Sequence, residues 1–441
     1  MAWIVFLSFQ SNDIIFSDWV TLLTLCLAPL IAHIAAGVPP PIYLHSNRPS
    51  WHDRICHYNP TSILWRYLAI ADRRLRAKSW NTLDLAATNA IFWDGHKWDG
   101  SEDMIQRSRD FCIRGPSHHH IDPLSMSTIV TLVVTLQGVQ ALYSLVHGTQ
   151  GLYAYTVALN TIFFPLATLG LLRLPAALWL TTDYAYRHNE DWESDTPEMG
   201  LHPNLGVRSN SALVRPTTNS LDAPIVPNRF RSHRGWLSIA VRGFYLIMIT
   251  GLLVLCIYML TAPVGTGDAE FSATNLTLNL TFLFFLAFST GTIGAYILLG
   301  RCKTTIIPCI TATWYKIYTG ILFAAMFTVF IIACLETRRT PCGRFTTYPK
   351  TIANDWGVCG ESTYAEIAAE HDTTSSLPVS RTNGTQLSYA AIYFNSTYGI
   401  AMNAGEDEIV VIAIDGWCKI DSEITLADIS MFKPTNFSLT A

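Results

Sequence analysis

Residues 127–147 read STIVTLVVTLQGVQALYSLVH; after the four residues 148–151, GTQG, residues 152–172 continue LYAYTVALNTIFFPLATLGLL. Neither run contains Asp, Glu, Lys or Arg. Each matches the roughly 20 apolar residues a helix needs to cross the hydrocarbon of a bilayer. So short a connection predicts a tight antiparallel transmembrane hairpin, with residue 180 as an alternative end for its second arm. Four more runs of this kind occupy residues 19–37, 244–262 (with an amphipathic lead-in from 236), 280–300 and 317–335. The expected fold is an all-α transmembrane helical bundle of about six spans, followed by a C-terminal α+β or β-rich extracytoplasmic domain.

The whole chain agrees with this class. Of its 441 residues half are apolar and 14% are charged, against roughly 25% charged in soluble domains. A net charge of −4 argues against a nucleic-acid partner. Ten cysteines include no CxxC pair, so zinc-ribbon and thioredoxin-like motifs are missing.

Positive charge alternates along the chain. Residues 38–126 hold eleven Lys and Arg, 182–235 hold six and 301–304 hold two, whereas 1–18, 148–151 and 263–279 hold none. The positive-inside rule then places both termini outside and the long loops in the cytoplasm. Arg173, Arg242 and Lys316 fall at cytoplasmic span ends, where long side chains can snorkel; Arg338 and Arg339 are discordant. All five Asn-x-Ser/Thr sequons, at Asn275, Asn279, Asn383, Asn395 and Asn436, fall on the outer side in this topology. Asn275, Asn383, Asn395 and Asn436 are the expected glycosylation sites, Asn279 being close to the bilayer. A rival reading takes residues 19–37 as a cleaved signal, but no basic segment precedes them and Asp13 and Asp18 do.

The chain thus divides into an outer N-terminus with the first span (1–37), a basic cytoplasmic loop domain (38–126), a transmembrane hairpin (127–181), a flexible cytoplasmic loop (182–235), a three-span bundle (236–335) and a glycosylated outer domain (336–441). Within the first loop, residues 61–78 predict an amphipathic helix. Ile63, Leu64, Tyr67, Leu68, Ala71 and Leu75 form its apolar stripe, and Arg66, Arg73, Arg74, Arg76 and Lys78 cluster toward its end. Such a helix either lies on anionic lipid or packs on the loop with its arginines solvated. Residues 93–100, WDGHKWDG, duplicate an Asp-Gly turn and read as a structured loop or as a pair of headgroup anchors. His52, Cys56 and His57, with His118, His119, His120 and Asp122, are zinc-capable side chains at spacings that match no zinc motif; exposed histidines are the plainer reading.

Two acidic groups carry the enzyme hypothesis. Asp99 and Asp103 form one DxxxD, and Asp191 and Asp195 a second. On helices these carboxylates would share a face and could hold Mg²⁺ against a prenyl or other diphosphate. In that limited sense the pair resembles the Asp-rich motifs of intramembrane prenyltransferases. It departs from that family's NDxxDxxxD pattern: Asn189 is followed by Glu190 and Glu193, the next expected acid falls on Pro197, and six spans are too few. The alternative is two solvated acidic loops. GxSxG, HExxH and P-loop signatures are missing. The span interiors are nearly uncharged, which disfavours an ion-coupled transporter; Gln137, Gln140 and Asn160 could bond across the hairpin.

Ala287, Gly291 and Ala295 make a small-xxx-small ridge suited either to a homodimer or to internal packing. In the tail, Cys342, Cys359 and Cys418, with Cys334 at the end of the sixth span, are the disulfide candidates, and residues 386–394 and 408–415 read as strands. Together these features imply a eukaryotic secretory-pathway or plasma-membrane protein. The leading function is a non-enzymatic sensor, adhesion or scaffold protein, with an extracellular ligand or cell wall as partner. An Mg-dependent diphosphate enzyme is the alternative, and a channel or facilitator the third. No resident cofactor is expected, Mg and Zn being the candidates if one exists.

Overall fold

A computed structural model describes residues 3–147, 156–187, 229–261, 269–340 and 343–350, together with 354, 358 and strand residues between 381 and 414. Six helical segments are long and apolar enough to cross a membrane: Phe16–Gly37, Met126–Val146, Leu159–Trp179, Trp236–Thr261, Ala273–Leu298 and Thr313–Glu336. They are called spans one to six below. Large apolar side chains such as Leu136, Ile247, Val254, Ile317 and Phe327 stand exposed along them, as a lipid-facing surface requires.

Among the described residues the third span runs from Leu159 to Trp179, and Val157 and Ala158 before it are not helical. Val157 is already committed elsewhere, its carbonyl accepting from the Thr347 amide at 3.0 Å. Thr161 Oγ1 accepts from the Ala158 amide and starts the helix there. The span is not a regular α-helix. An α-helical stretch, Phe164–Gly170, has Pro165 in its first turn, where a missing N–H costs nothing. A nine-residue 3-10 stretch, Leu171–Trp179, follows with Pro175 inside it.

Spans two and three approach closely at glycines. A Cβ at Gly138 would lie 2.7 Å from Leu171 Cγ and 2.9 Å from the Ala167 carbonyl oxygen, and one at Gly170 would lie 2.7 Å from Val134 Cγ1. Small residues let backbones come together where apolar lipid gives no hydrophobic drive. The ridge of Ala287, Gly291 and Ala295 behaves oppositely. All three residues are exposed and a Cβ at Gly291 meets nothing within 4 Å, so the ridge does not serve packing within this bundle. Gly138→Val is therefore expected to lower stability by about 1–3 kcal/mol through overpacking. Gly291→Val is expected to stay within about 1 kcal/mol, the helix-propensity range. Unfolding midpoints of the two variants in detergent check the contrast.

On one face, three separated segments meet. Trp3–Phe6 pairs in parallel with Ala269–Ser272, and Arg338–Arg339 pairs with Phe345–Thr346. The Gln10 side chain donates to the Glu336 carbonyl at 2.9 Å and the Tyr348 carbonyl at 2.8 Å. The opposite face carries the described loop residues 38–125. Pro41–Tyr43, Ile91–Trp93 and Trp98–Asp99 form a three-stranded sheet there. In the tail, Ser388–Tyr393 pairs antiparallel with Ile409–Ile414. Asn383, Asn395, Asn436, Cys342, Cys359 and Cys418 lie outside the described residues.

The helix Pro60–Arg76 is the main correction to the sequence reading. It does not lie on lipid with its arginines free: it packs against spans one, three, four and five, and Arg66, Arg73 and Arg76 are buried together with its apolar stripe, Leu75 alone of that stripe being half-buried. Only Lys78 of the basic cluster is exposed, and Arg74, half-buried, stacks over the Trp80 and Trp179 rings. The start of the helix plugs into the bundle. Asn59 Oδ1 accepts from the Thr61 amide, and Asn59 Nδ2 donates to Thr319 Oγ1 at 2.8 Å. Thr61 Oγ1 lies 2.7 Å from Ser289 Oγ and 2.9 Å from the Tyr318 hydroxyl, and Ser62 Oγ lies 2.7 Å from the Tyr315 hydroxyl. A fully bonded polar network of this kind rigidifies and specifies a core.

Candidate functional site

The densest chemistry lies where the Pro60–Arg76 helix meets the span ends. Asp72 is fully buried. Its Oδ2 accepts from Arg76 Nε at 2.8 Å and from an Arg242 terminal nitrogen at 2.7 Å, and Ser238 Oγ donates to Oδ1. Arg76 also pairs with Glu102. One carboxylate thus joins the loop helix to the fourth span, and Glu102 ties in the sheet that follows. The Asp72–Arg76 pair is an i, i+4 ion pair that a helix makes readily. Burial makes it matter, because a buried charge without its partner is costly.

A second group of arginines bonds, among the described residues, to backbone carbonyls and neutral side chains. Arg66 donates to the Gly37 carbonyl and to Asn89, at 2.8 Å for the backbone oxygen. Arg173 donates to the Ala36 carbonyl and, through Nε, to Thr131 Oγ1 at 2.8 Å. Ala36 and Gly37 end the first span, where carbonyls lack intrahelical partners and the helix dipole is negative. Two guanidinium groups therefore cap one helix end. Arg73 donates to the carbonyls of Gly100 and Lys303, the latter at 3.1 Å. Burial pushes the Arg66 and Arg73 guanidiniums down to about 10, which leaves both charged near neutral pH.

Asn89, unremarkable in the sequence, is a hub. Its side-chain nitrogen donates to the Trp179 carbonyl at 2.7 Å, its side-chain oxygen accepts from the Thr181 amide, and its carbonyl accepts from the Tyr184 hydroxyl. It closes a short helix, Thr82–Asn89, that opens with a capping box between Asn81 and Asp84.

The acidic pair Asp99 and Asp103 does not share a helix. Asp99 ends the strand Trp98–Asp99, its Oδ1 accepting from the Ser101 amide at 2.8 Å, while Asp103 is exposed just before Met104–Arg107. Asp191 and Asp195 lie outside the described residues. The Asp-Gly turn is as its residues predict: Gly95 takes a φ of 98°, and Asp94 Oδ1 accepts from the His96 and Lys97 amides. Trp93 and Trp98, however, are buried in the core, not at an exposed surface.

The zinc-capable residues separate. His118 pairs with Asp122 at 3.5 Å, and its ring lies 6.4 Å from that of His120. His52 lies beside Asp53. His57 is buried edge-on to Trp98, 4.5 Å between ring centroids, and Cys56 Sγ donates to the His52 carbonyl. Burial first, and then the Arg66 charge, push His57 down to about 3, so its imidazole is neutral. Among the described residues no three His, Cys, Asp or Glu side chains converge as a metal-binding group. Asn275 is buried, donating to the Tyr348 hydroxyl and accepting from Asn279 Nδ2 at 2.7 Å. Cys334 is a free thiol.

The architecture is that of a helical bundle with six segments able to cross a membrane, compatible with a multi-pass membrane protein. Comparison with protein-family models, curated proteins and solved structures finds no match.

Proposed function

We propose that this chain is a non-enzymatic scaffold or sensor of the secretory pathway or plasma membrane, holding its glycosylated C-terminal part outside the bilayer. The observation that carries this reading is the commitment of the loop's charged groups to structure. Arg66, Arg73 and Arg76 bind span ends and neighbouring loops, and Glu102, inside the acidic run, is held by Arg76. The loop is thereby a rigid extension of the spans, suited to coupling one side of the membrane to the other. The orientation rests on the Lys and Arg distribution and on the sequons at Asn383, Asn395 and Asn436. The competing reading needs Asp99, Asp103, Asp191 and Asp195 as Mg²⁺ ligands.

One variant separates the two. With alanine at those four positions, the protein is expected to reach the membrane, to keep a glycosidase-sensitive mobility shift, and to restore whatever phenotype its deletion causes. Loss of rescue at a normal membrane level would favour the diphosphate enzyme. A tail cleaved by protease applied from the cytoplasmic side would overturn the orientation.

A further inference from the structure

Spans four and five pack side by side, and the start of one meets the end of the other. His233, just before span four, lies against Gly300, just after span five. A Cβ at Gly300 would come within 2.9 Å of His233 Nε2, and its backbone takes a φ of 68°. This contact joins residues 231–236 to the turn 299–303. The joined segments sit on the buried network: the Arg231 amide donates to the Arg76 carbonyl at 2.7 Å, and Arg242 donates to the His233 carbonyl at 3.2 Å.

Positive charge accumulates here without a counter-charge. Arg231, Arg234, Arg301 and Lys303 are all exposed. The buried arginines beside them have their acids, Asp72 and Glu102 holding Arg76 and Asp72 holding Arg242. Among the described residues no Asp or Glu forms an ion pair with any of the four exposed cations. His233 senses the surplus: burial first, and then Arg242, Arg234, Arg76 and Lys303, push its imidazole below the usual range.

The neighbouring surface says what the cations meet. Trp236 is 74% exposed, Leu298 89% and Leu299 66%. Where spans four and five cross a bilayer, exposed leucines lie in the hydrocarbon and an exposed tryptophan lies at headgroup depth. The four cations then stand level with the lipid phosphates. A soluble polyanion would gain nothing from the leucines and the tryptophan. A headgroup with one negative charge would leave most of the patch unneutralised, whereas each phosphate monoester brings roughly two charges. Guanidinium forks match its oxygens.

We propose that this corner binds a phospholipid whose headgroup carries phosphate monoesters, the phosphates held by Arg234, Arg301 and Lys303 and the acyl end lying on Trp236 and Leu298. The inference rests on the reading that these segments cross a bilayer.

The test titrates purified full-length protein in detergent with dioctanoyl phosphatidylinositol 4,5-bisphosphate. The unfolding midpoint is expected to rise saturably by a few degrees, since a ligand bound only by the folded state stabilises it. Dioctanoyl phosphatidylcholine and inorganic phosphate at the same concentration should leave it unchanged. Each Lys or Arg at a membrane surface contributes about fivefold in affinity for anionic lipid. Glutamine at Arg234, Arg301 and Lys303 together should therefore weaken the response about a hundredfold. Glutamine at Arg54, Arg109 and Arg114, exposed cations elsewhere, should weaken it less than threefold. Should the first triple variant fold poorly, Arg301→Gln alone is read, at about fivefold.

An unchanged wild-type midpoint, as would follow if Glu190, Asp191 and Glu193 neutralised the patch, overturns the site. So does an equal response to inorganic phosphate, or equal weakening in the two triple variants. Alkaline extraction of membranes is read separately. A protein that stays in the membrane but shows no headgroup preference overturns this site alone; one released by alkali overturns the spans and the site with them.

Discussion

Asp72→Ala is expected to remove most of the stability of the folded protein. The change leaves Arg76 and Arg242 buried, both deprived of the carboxylate they share, and strands the Ser238 hydroxyl. Removing one member of a buried ion pair costs about 3–5 kcal/mol, because the charge left behind is uncompensated. Here two charges are left, although Arg76 retains Glu102. Against a total stability of about 5–15 kcal/mol for a typical protein, the variant should accumulate poorly and unfold many degrees lower. Asp110→Ala, at an exposed position, is the control, expected to lie within about 0.5 kcal/mol of wild type. Detergent-solubilised yield and unfolding midpoint read both. If Asp72→Ala matched the control, the network would not be what holds the loop helix to the fourth span.

Glu336→Ala should come next in severity, at the opposite face. The carboxylate is fully buried and accepts from the Thr274 amide at 2.7 Å, the Ala273 amide at 3.2 Å and the Ser8 amide at 3.4 Å. Ala273 and Thr274 open the fifth span, whose unpaired amides and dipole favour an anion. Alanine leaves those amides buried and unsatisfied, at about 1–3 kcal/mol for each group, so a total loss on the order of 3 kcal/mol or more is expected. Glu336→Gln keeps one acceptor oxygen and should recover part of the loss. A glutamine variant as unstable as the alanine one would show that charge, not hydrogen bonding, carries the effect.

The spans were legible because apolar length is a one-dimensional property. Their ends were less so. The stretch from residue 152 to residue 180 is apolar for longer than one crossing needs, and hydropathy cannot set the register inside it; the Val157–Thr347 bond does. The Pro60–Arg76 helix shows a different limit. Periodicity identifies which side of a helix is polar but not what covers that side. Arg66 and Arg73 read as surface groups because their partners are largely backbone carbonyls, which leave no trace in sequence. The Asp72–Arg76 spacing was readable in principle, whereas the bond from Arg242, 170 positions away, was not. Glu336 gave no signal beyond being an acid at a span end.

The pairing of Trp3–Phe6 with Ala269–Ser272, and the bond from the Ser8 amide to Glu336 across 328 positions, bear on how the protein is made. A ribosome adds about 5–20 residues per second, so the first residues wait many seconds for their partners. The N-terminal strand has nothing to pair with until the fourth span is complete, and Glu336 arrives only with the last residue of the sixth. The bundle therefore cannot mature span by span in order of synthesis. Its earliest segment is fastened in two stages, to Ala269–Ser272 once four spans have been made and to Glu336 only when the sixth is complete.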